Sequence, residues 1–257
     1  MFYLLGIFVA GLASLITACS AEKPMDDKPV ITLSGGIISP ATQQEKIRMD
    51  LMQVNIRMQN GSYVLDAVFH LFNTGETTTE WVGFPKHGWG NFSLSQDDPL
   101  IRDFIRFECW VNDLTEVFVE NLSFMHDSSH LFQEPPDITA TKWMAKKITF
   151  PENTVTTIRI SFEAPYNDAK ASIPQNIGHF FLGPGQYWKG KIDRAEIVLE
   201  KNPDTDNKNS WIVFDHIGTT VKRIVTKTEI RSELRELEAN SNGRLEFGHY
   251  VYPIREK

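Results

Sequence analysis

Ile47, Met49 and Leu51 alternate with polar residues, and so do Val54, Ile56 and Met58. Tyr63, Leu65, Ala67, Phe69 and Leu71 then line one side of a second run. Period two places each set on one face of a β-strand, and Asn60-Gly61 between them supplies the positive φ angles of a type I′ turn. The apolar phase slips by one residue between Leu51 and Val54, which predicts a β-bulge near Met52-Gln53. The other face of the second run mixes Val64, Val68 and Phe72 with Asp66 and His70. That strand is expected to be half covered, as an inner strand of a sandwich is.

The same alternation continues. Thr77 to Phe84 reads as a third strand, and Asp103 to Val111 as a fourth with Ile105, Phe107, Cys109 and Val111 on one face. Asn112-Asp113 is a turn, with Glu116 to Phe124 returning. Trp143 to Phe150 and Val155 to Phe162 flank Pro151-Glu152-Asn153 as a second hairpin. Ala195, Ile197 and Leu199 mark a further strand, followed by Trp211 to His216 and Val221 to Thr226. Near the end Ile230, Leu234 and Leu237 recur at helical spacing, predicting a short helix over Glu229 to Glu238. Asn242-Gly243 supports a rival reading, a strand paired in a hairpin with Leu245 to Tyr252. The pattern as a whole predicts an all-β chain, an antiparallel β-sandwich of immunoglobulin-like or jelly-roll-like type. It would occupy residues 45–257 as one domain.

Composition narrows the function classes. Of 257 residues, 41% are hydrophobic and 17 are Phe, enough for a sizeable core. The formal charge of −7 is spread along the chain with no basic stripe, which argues against a nucleic-acid partner. Cys19 and Cys109 are the two cysteines. Cys109, on an apolar strand face without a neighbouring base, reads as a small buried hydrophobe and not as a catalytic thiol.

Met1 to Ala18 carries no charged side chain and is mostly apolar, the character of an export signal. It ends Leu15-Ile16-Thr17-Ala18-Cys19-Ser20, which resembles the bacterial lipoprotein signal. The resemblance implies cleavage before Cys19 and acyl chains, palmitate among them, on that residue. Each buried acyl CH₂ would contribute about 0.8 kcal/mol to membrane anchoring. Ser20, in place of Asp, implies an outer-membrane destination where the cell has one. No Lys or Arg precedes the apolar run, so an uncleaved anchor is the alternative. Residues 19–44, with Pro24, Pro29, Gly35-Gly36 and Pro40, read as a flexible tether. The Asn-x-Ser sequons at Asn60, Asn91 and Asn121 carry no meaning in a bacterium.

Phe72 to Pro85, Thr156 to Tyr166, and the run Gly183-Pro184-Gly185-Gln186-Tyr187-Trp188-Lys189-Gly190-Lys191-Ile192 together resemble bacterial extracytoplasmic β-sandwich domains. In those domains a Thr-Gly-x-x-Trp-x-Gly-x-Ile turn precedes a strand, and here Pro184 stands at the Thr position. The resemblance implies fold and location and brings no catalytic residues.

Candidate chemistry is sparse. His126 and His130 have the spacing of a metal pair on a helix but lie in a polar loop. Asp97-Asp98, and Asp204 with Asp206, lack the oxygen ladder and closing Glu of a calcium loop. No nucleophile elbow, P-loop or dinucleotide fingerprint occurs, and no cofactor or metal is implied. The aromatic loops are the better ligand-binding candidates: His87, Trp89 and Phe92 in one, Tyr187 and Trp188 in the other. Flat rings can stack a sugar or peptide at low entropic cost, or plug the ends of the core. The reading that follows is a lipid-anchored envelope protein acting as a non-enzymatic binding or assembly module. Its partners would be the membrane through Cys19 and an envelope protein, glycan or peptide. An envelope enzyme acting on glycan or peptide, with catalytic residues not identified, is the alternative, and a small-ligand carrier a third.

Overall fold

The computed structural model describes residues 35–87, 104–121, 142–168, 175–201, 210–215, 217–239 and 243–250. The described strands are β1 (Ser39–Pro40), β2 (Ile47–Met58), β3 (Ser62–Asn73), β4 (Thr78–His87), β5 (Arg106–Val111) and β6 (Leu114–Thr115). Next come β7 (Val119–Asn121), β8 (Lys142–Phe150), β9 (Val155–Pro165), β10 (Asn167–Asp168) and β11 (Gln175–Phe181). The chain continues as β12 (Ile192–Glu200), β13 (Ser210–Asp215), β14 (Val221–Val225), β15 (Glu229–Leu237) and β16 (Arg244–Tyr250). Among the described residues no helix is long and apolar enough to cross a membrane.

β2 and β3 form the expected antiparallel pair, Met58 opposite Tyr63 and Ile47 opposite Asn73. The register shift falls between Met49 and Leu51, a little earlier than Met52-Gln53. This places Met52, Val54, Ile56 and Met58 on the core face with Ile47 and Met49, and turns Leu51 half outward. The connecting turn is not type I′. Gly61 has φ +80 while Asn60 is not among the positive-φ residues, and Gln59 N–H donates to the Ser62 carbonyl at 3.0 Å. Paired positive angles occur instead at Asn112 and Asp113 (φ 49 and 65), the two-residue turn that joins β5 to β6.

One sheet has eight strands in the order β14-β15-β12-β2-β3-β9-β5-β6, antiparallel except where β12 lies parallel to β2. Register aligns its inner face into rows. One row runs Ile230, Leu199, Ile56, Leu65, Phe162, Phe107, and the next Ser232, Ile197, Val54, Ala67, Ile160, Cys109. Alternation in six separate segments thus becomes one continuous apolar surface. Two four-stranded sheets, β1-β4-β8-β7 and β10-β11-β16-β13, cover it. Phe84 of the first meets Phe162 at 5.5 Å, and Phe247 of the second meets Tyr63 edge-on at 4.9 Å. The result is an all-β domain of three sheets with one shared core and, among the described residues, no closed barrel.

Four further sequence expectations change. Gly35 to Gln44, assigned to the tether, is built into the body as a strap between the two smaller sheets. Ile37 N–H donates to the Phe181 carbonyl at 2.7 Å, while Ser39 and Pro40 pair with Gly83 and Val82 of β4. Glycine is required here: a Cβ on Gly36 would lie 2.6 Å from the Phe181 Cβ, and one on Gly35 would lie 2.5 Å from the Phe162 ring. Second, β8 and β9 are not a hairpin. β8 pairs with β4 and β7, β9 with β3 and β5, so Pro151 to Thr154 arches from one layer to the other. Asn73 holds the arch in place, donating through Nδ2 to the Phe150 carbonyl at 2.9 Å. Third, the strand returning after Asn112-Asp113 divides. Its start pairs with β5 and its continuation with β8, because Phe118 turns inward between them and carries the chain across the sheet edges.

Fourth, the segment expected as a helix is strand β15, Glu229–Leu237, and it pairs with β12 and β14, not with the segment beginning at Leu245. The helical spacing has a local cause. Ile230, Ser232 and Leu234 face the core at period two, then Glu236 takes φ 50 and shifts the phase, so Leu237 returns inward. A strand with a bulge reproduces the 230, 234, 237 rhythm of a helix.

Candidate binding site

Of the predicted aromatic platform, Tyr187 and Trp188 have described side chains, and both are buried. Gly183–Tyr187 folds as a 3₁₀ turn with Pro184 near its start, and Tyr187 and Trp188 are turned into the protein. Trp188 is 1% exposed; its Nε1–H donates to the Ile38 carbonyl at 2.7 Å and its ring meets Phe150 edge-on at 6.1 Å. It offers no face to a ligand. Burial pushes the Tyr187 hydroxyl up to about 12. The backbone of His87 ends β4, while Trp89 and Phe92 lie outside the described residues. So do His126, His130, Asp97, Asp98, Asp204 and Asp206. Cys109 is 2% exposed, and burial together with Glu116 raises its thiol to about 12, the setting of an inert core residue.

A cleft of about 660 Å³ opens where β12, β14 and β15 end together, lined by Asp193, Thr219, Thr220, Lys222, Glu233, Arg235 and Glu236. Its origin lies in two facing irregularities. Ile192 pairs with Leu237 and Arg194 with Arg235, which leaves Asp193 and Glu236 between them, both exposed. By strict alternation one member of each adjacent charged pair would point into the core; the local departure lets both point out. Thr219 fixes the rim, its hydroxyl donating to the Arg235 carbonyl at 2.6 Å.

Within the cleft Glu233 is shared, 2.9 Å from Arg235 and 3.5 Å from Arg194. Asp193, Lys222 and Glu236 have no ion-pair partner among the described residues. The cleft therefore offers charges of both signs that the fold does not itself use. It contains no Ser, Cys or His nucleophile, and no group of three or more His, Cys, Asp or Glu able to hold a metal occurs among the described residues. Its lining offers a ligand charge and hydrogen bonds. Sequence reasoning missed it, although Asp193-Arg194 and Arg235-Glu236, adjacent charges inside alternating runs, were visible signals.

A second polar group lies on β11, β13 and β16. His179, 3% exposed, stands opposite Glu246 with its Nε2 3.3 Å from the carboxylate, and Arg244 pairs with Asp215 at 2.8 Å. A carboxylate only accepts, so Nε2 carries the proton. Burial lowers the His179 pKa, partly opposed by Glu246, and the His179 hydrogen bond with Arg244 nearby holds Glu246 below its ordinary value. So little of the imidazole reaches solvent that its role is to satisfy a buried sheet position.

No family model matches the chain, and no curated protein matches it. Among solved structures it is similar to one from Legionella pneumophila described as a nutrient-binding protein. The TM-score is 0.59 at 14% identity, covering 84% of this chain and 71% of that one, a likeness of fold. An M1 zinc metallopeptidase from Deinococcus radiodurans aligns with a TM-score of 0.40 at 7% identity, over 80% of this chain and 43% of the enzyme.

Proposed function

We propose that this chain is a lipid-anchored binding module of the bacterial cell envelope, held by acyl chains on Cys19 and acting without catalysis. Support for the anchor is Leu15 to Ser20 behind an uncharged apolar run. The observation that carries the binding role is the 660 Å³ cleft, whose Asp193, Lys222 and Glu236 are left for an outside partner. Charged groups of both signs converging in a concavity suit a ligand that brings its own charges. The nutrient-binding description of the Legionella protein of similar fold agrees with such a role. The loop carrying His87, Trp89 and Phe92 is a second candidate contact.

Replacing Cys19 by Ala tests the anchor. The variant should accumulate as unprocessed precursor without radiolabelled palmitate, and unchanged labelling and membrane attachment would discard the lipoprotein reading. Calorimetric titration of the folded chain with envelope glycan fragments and short peptides tests the cleft. Binding that disappears in an Asp193→Asn, Glu236→Gln double variant supports it, and no heat with any of them removes it.

A further inference from the structure

The eight-stranded sheet ends at β14, and beyond it no strand is paired among the described residues. Thr226 N–H donates to the Glu229 carbonyl at 2.9 Å, which sets the phase of the antiparallel ladder. Hydrogen-bonded and free pairs alternate, so Val221, Arg223 and Val225 turn their N–H and C=O groups to the open side. Two apolar side chains of this edge strand stand in solvent. Ile224 is 53% and Val225 61% exposed, and beside them stand Lys222 and Arg223.

The charges decide what fits. On β15, β12, β2 and β9, every arginine meets a carboxylate within 3.5 Å. At β14 that compensation stops. Lys222 and Arg223 have no ion-pair partner among the described residues, and Arg223 only leans toward the Phe214 ring at 6.0 Å. Lys222 also lines the cleft, so the edge and the cleft form one continuous surface. A second copy of the chain suits this edge poorly, since the antiparallel register centred on β14 would set Arg223 against Arg223. Like charges directly opposite destabilise a pair.

We propose that β14 takes up an extended segment of a partner protein as an added strand. The segment carries two adjacent acidic residues, opposite Lys222 and Arg223, between apolar residues that cover Val221, Ile224 and Val225. Main-chain hydrogen bonds hold the segment, and the paired acids select it. This rests on the binding-module reading and names the class of partner.

The test screens the folded chain against a library of fluorescein-labelled heptapeptides, read by fluorescence anisotropy. Binders should be enriched in adjacent Asp or Glu flanked by apolar residues, and N-methylation of alternate peptide amides should abolish binding. Reversing both charges (Lys222→Glu with Arg223→Glu) should weaken the best acidic binder about ten-fold and improve its Lys-Lys counterpart. Circular dichroism checks that the variant is folded. Binders without acidic bias, or binding indifferent to charge reversal, would overturn the proposal, as would a dimer in sedimentation that the reversal disperses. If Asp193→Asn with Glu236→Gln abolishes binding while the β14 reversal does not, the edge fails and the cleft stands. If no peptide binds while Cys19→Ala still loses its palmitate, the edge fails and the anchor stands.

Discussion

Trp188→Phe separates a ring that builds the fold from one that waits for a ligand. In the fold the indole is 1% exposed and its N–H satisfies the Ile38 carbonyl at 2.7 Å, tying the strap to the turn that precedes β12. Phe keeps an aromatic ring but has no donor. A buried acceptor stripped of its partner costs about 1–3 kcal/mol. The smaller ring leaves part of the indole volume empty, adding on the order of 1 kcal/mol. The sum is about 2–4 kcal/mol, and at about 2–4 °C per kcal/mol the Tm should fall by roughly 4–16 °C. Differential scanning calorimetry gives the shift. Hydrogen exchange shows whether Ile37 N–H, bonded to Phe181, loses protection with it. A surface ring would change stability by less than about 0.5 kcal/mol. A Trp188→Phe protein that melts with the wild type would refute the anchoring role and return Trp188 to the ligand-binding candidates.

Two further tests follow from the strap and from the buried histidine. Gly36→Ala puts a Cβ 2.6 Å from the Phe181 Cβ and 2.9 Å from its carbonyl oxygen, so it should destabilise by about 1–3 kcal/mol in urea unfolding. A neutral effect would mean the strap is not packed as described. The second concerns pH. His179, faced by Glu246 and Arg244, has a pKa lowered from 6.5 by burial, so the unfolded chain takes up its proton first as pH falls. His249, lowered by burial, acts in the same direction, and Glu246 adds its own loss below 4.5. Stability from these groups is present above pH 6.5 and declines below it. Tm measured downward from about pH 7.5 should drop, less steeply in His179→Gln, whereas a flat or rising profile would contradict the assignment.

Strand character was readable wherever one face is buried and the other wet, as in β2, β3, β9 and β12, because period two survives without knowledge of partners. Pairing was not. Pro151-Glu152-Asn153 has the composition of a hairpin turn, and nothing local distinguishes a turn within a sheet from an arch between layers. That choice depends on whether Phe150 and Ile158 meet the core from the same sheet or from opposite ones, which is a property of the fold. The strap failed for a related reason. Gly35-Gly36 and Pro40 read as parts of a flexible tether, yet here glycine permits close backbone approach and Ile37 and Ile38 are fully buried beside it. The doublet of β-branched residues after two glycines was the signal of a packed segment.

The binding surface was hidden by a different property of the sequence. Read along the chain, the charges look evenly mixed and point to no partner. Across the sheet they sort themselves by strand register. Asp66 on β3 lies between Arg57 of β2 and Arg159 of β9, and Gln53 reaches Glu196 across 143 residues of sequence at 3.0 Å. Neutralisation of this kind needs an adjacent strand to bring the opposite charge. On the terminal strand β14, which has one neighbour, Lys222 and Arg223 are left over, and their sign states what a strand added there must carry. At β14 the remainder is positive although the chain as a whole is at −7, so net charge predicts the wrong sign for the local partner. The acidic segment proposed for this edge thus follows from counting charges strand by strand, and binding of basic peptides there would show that bulk charge governs after all.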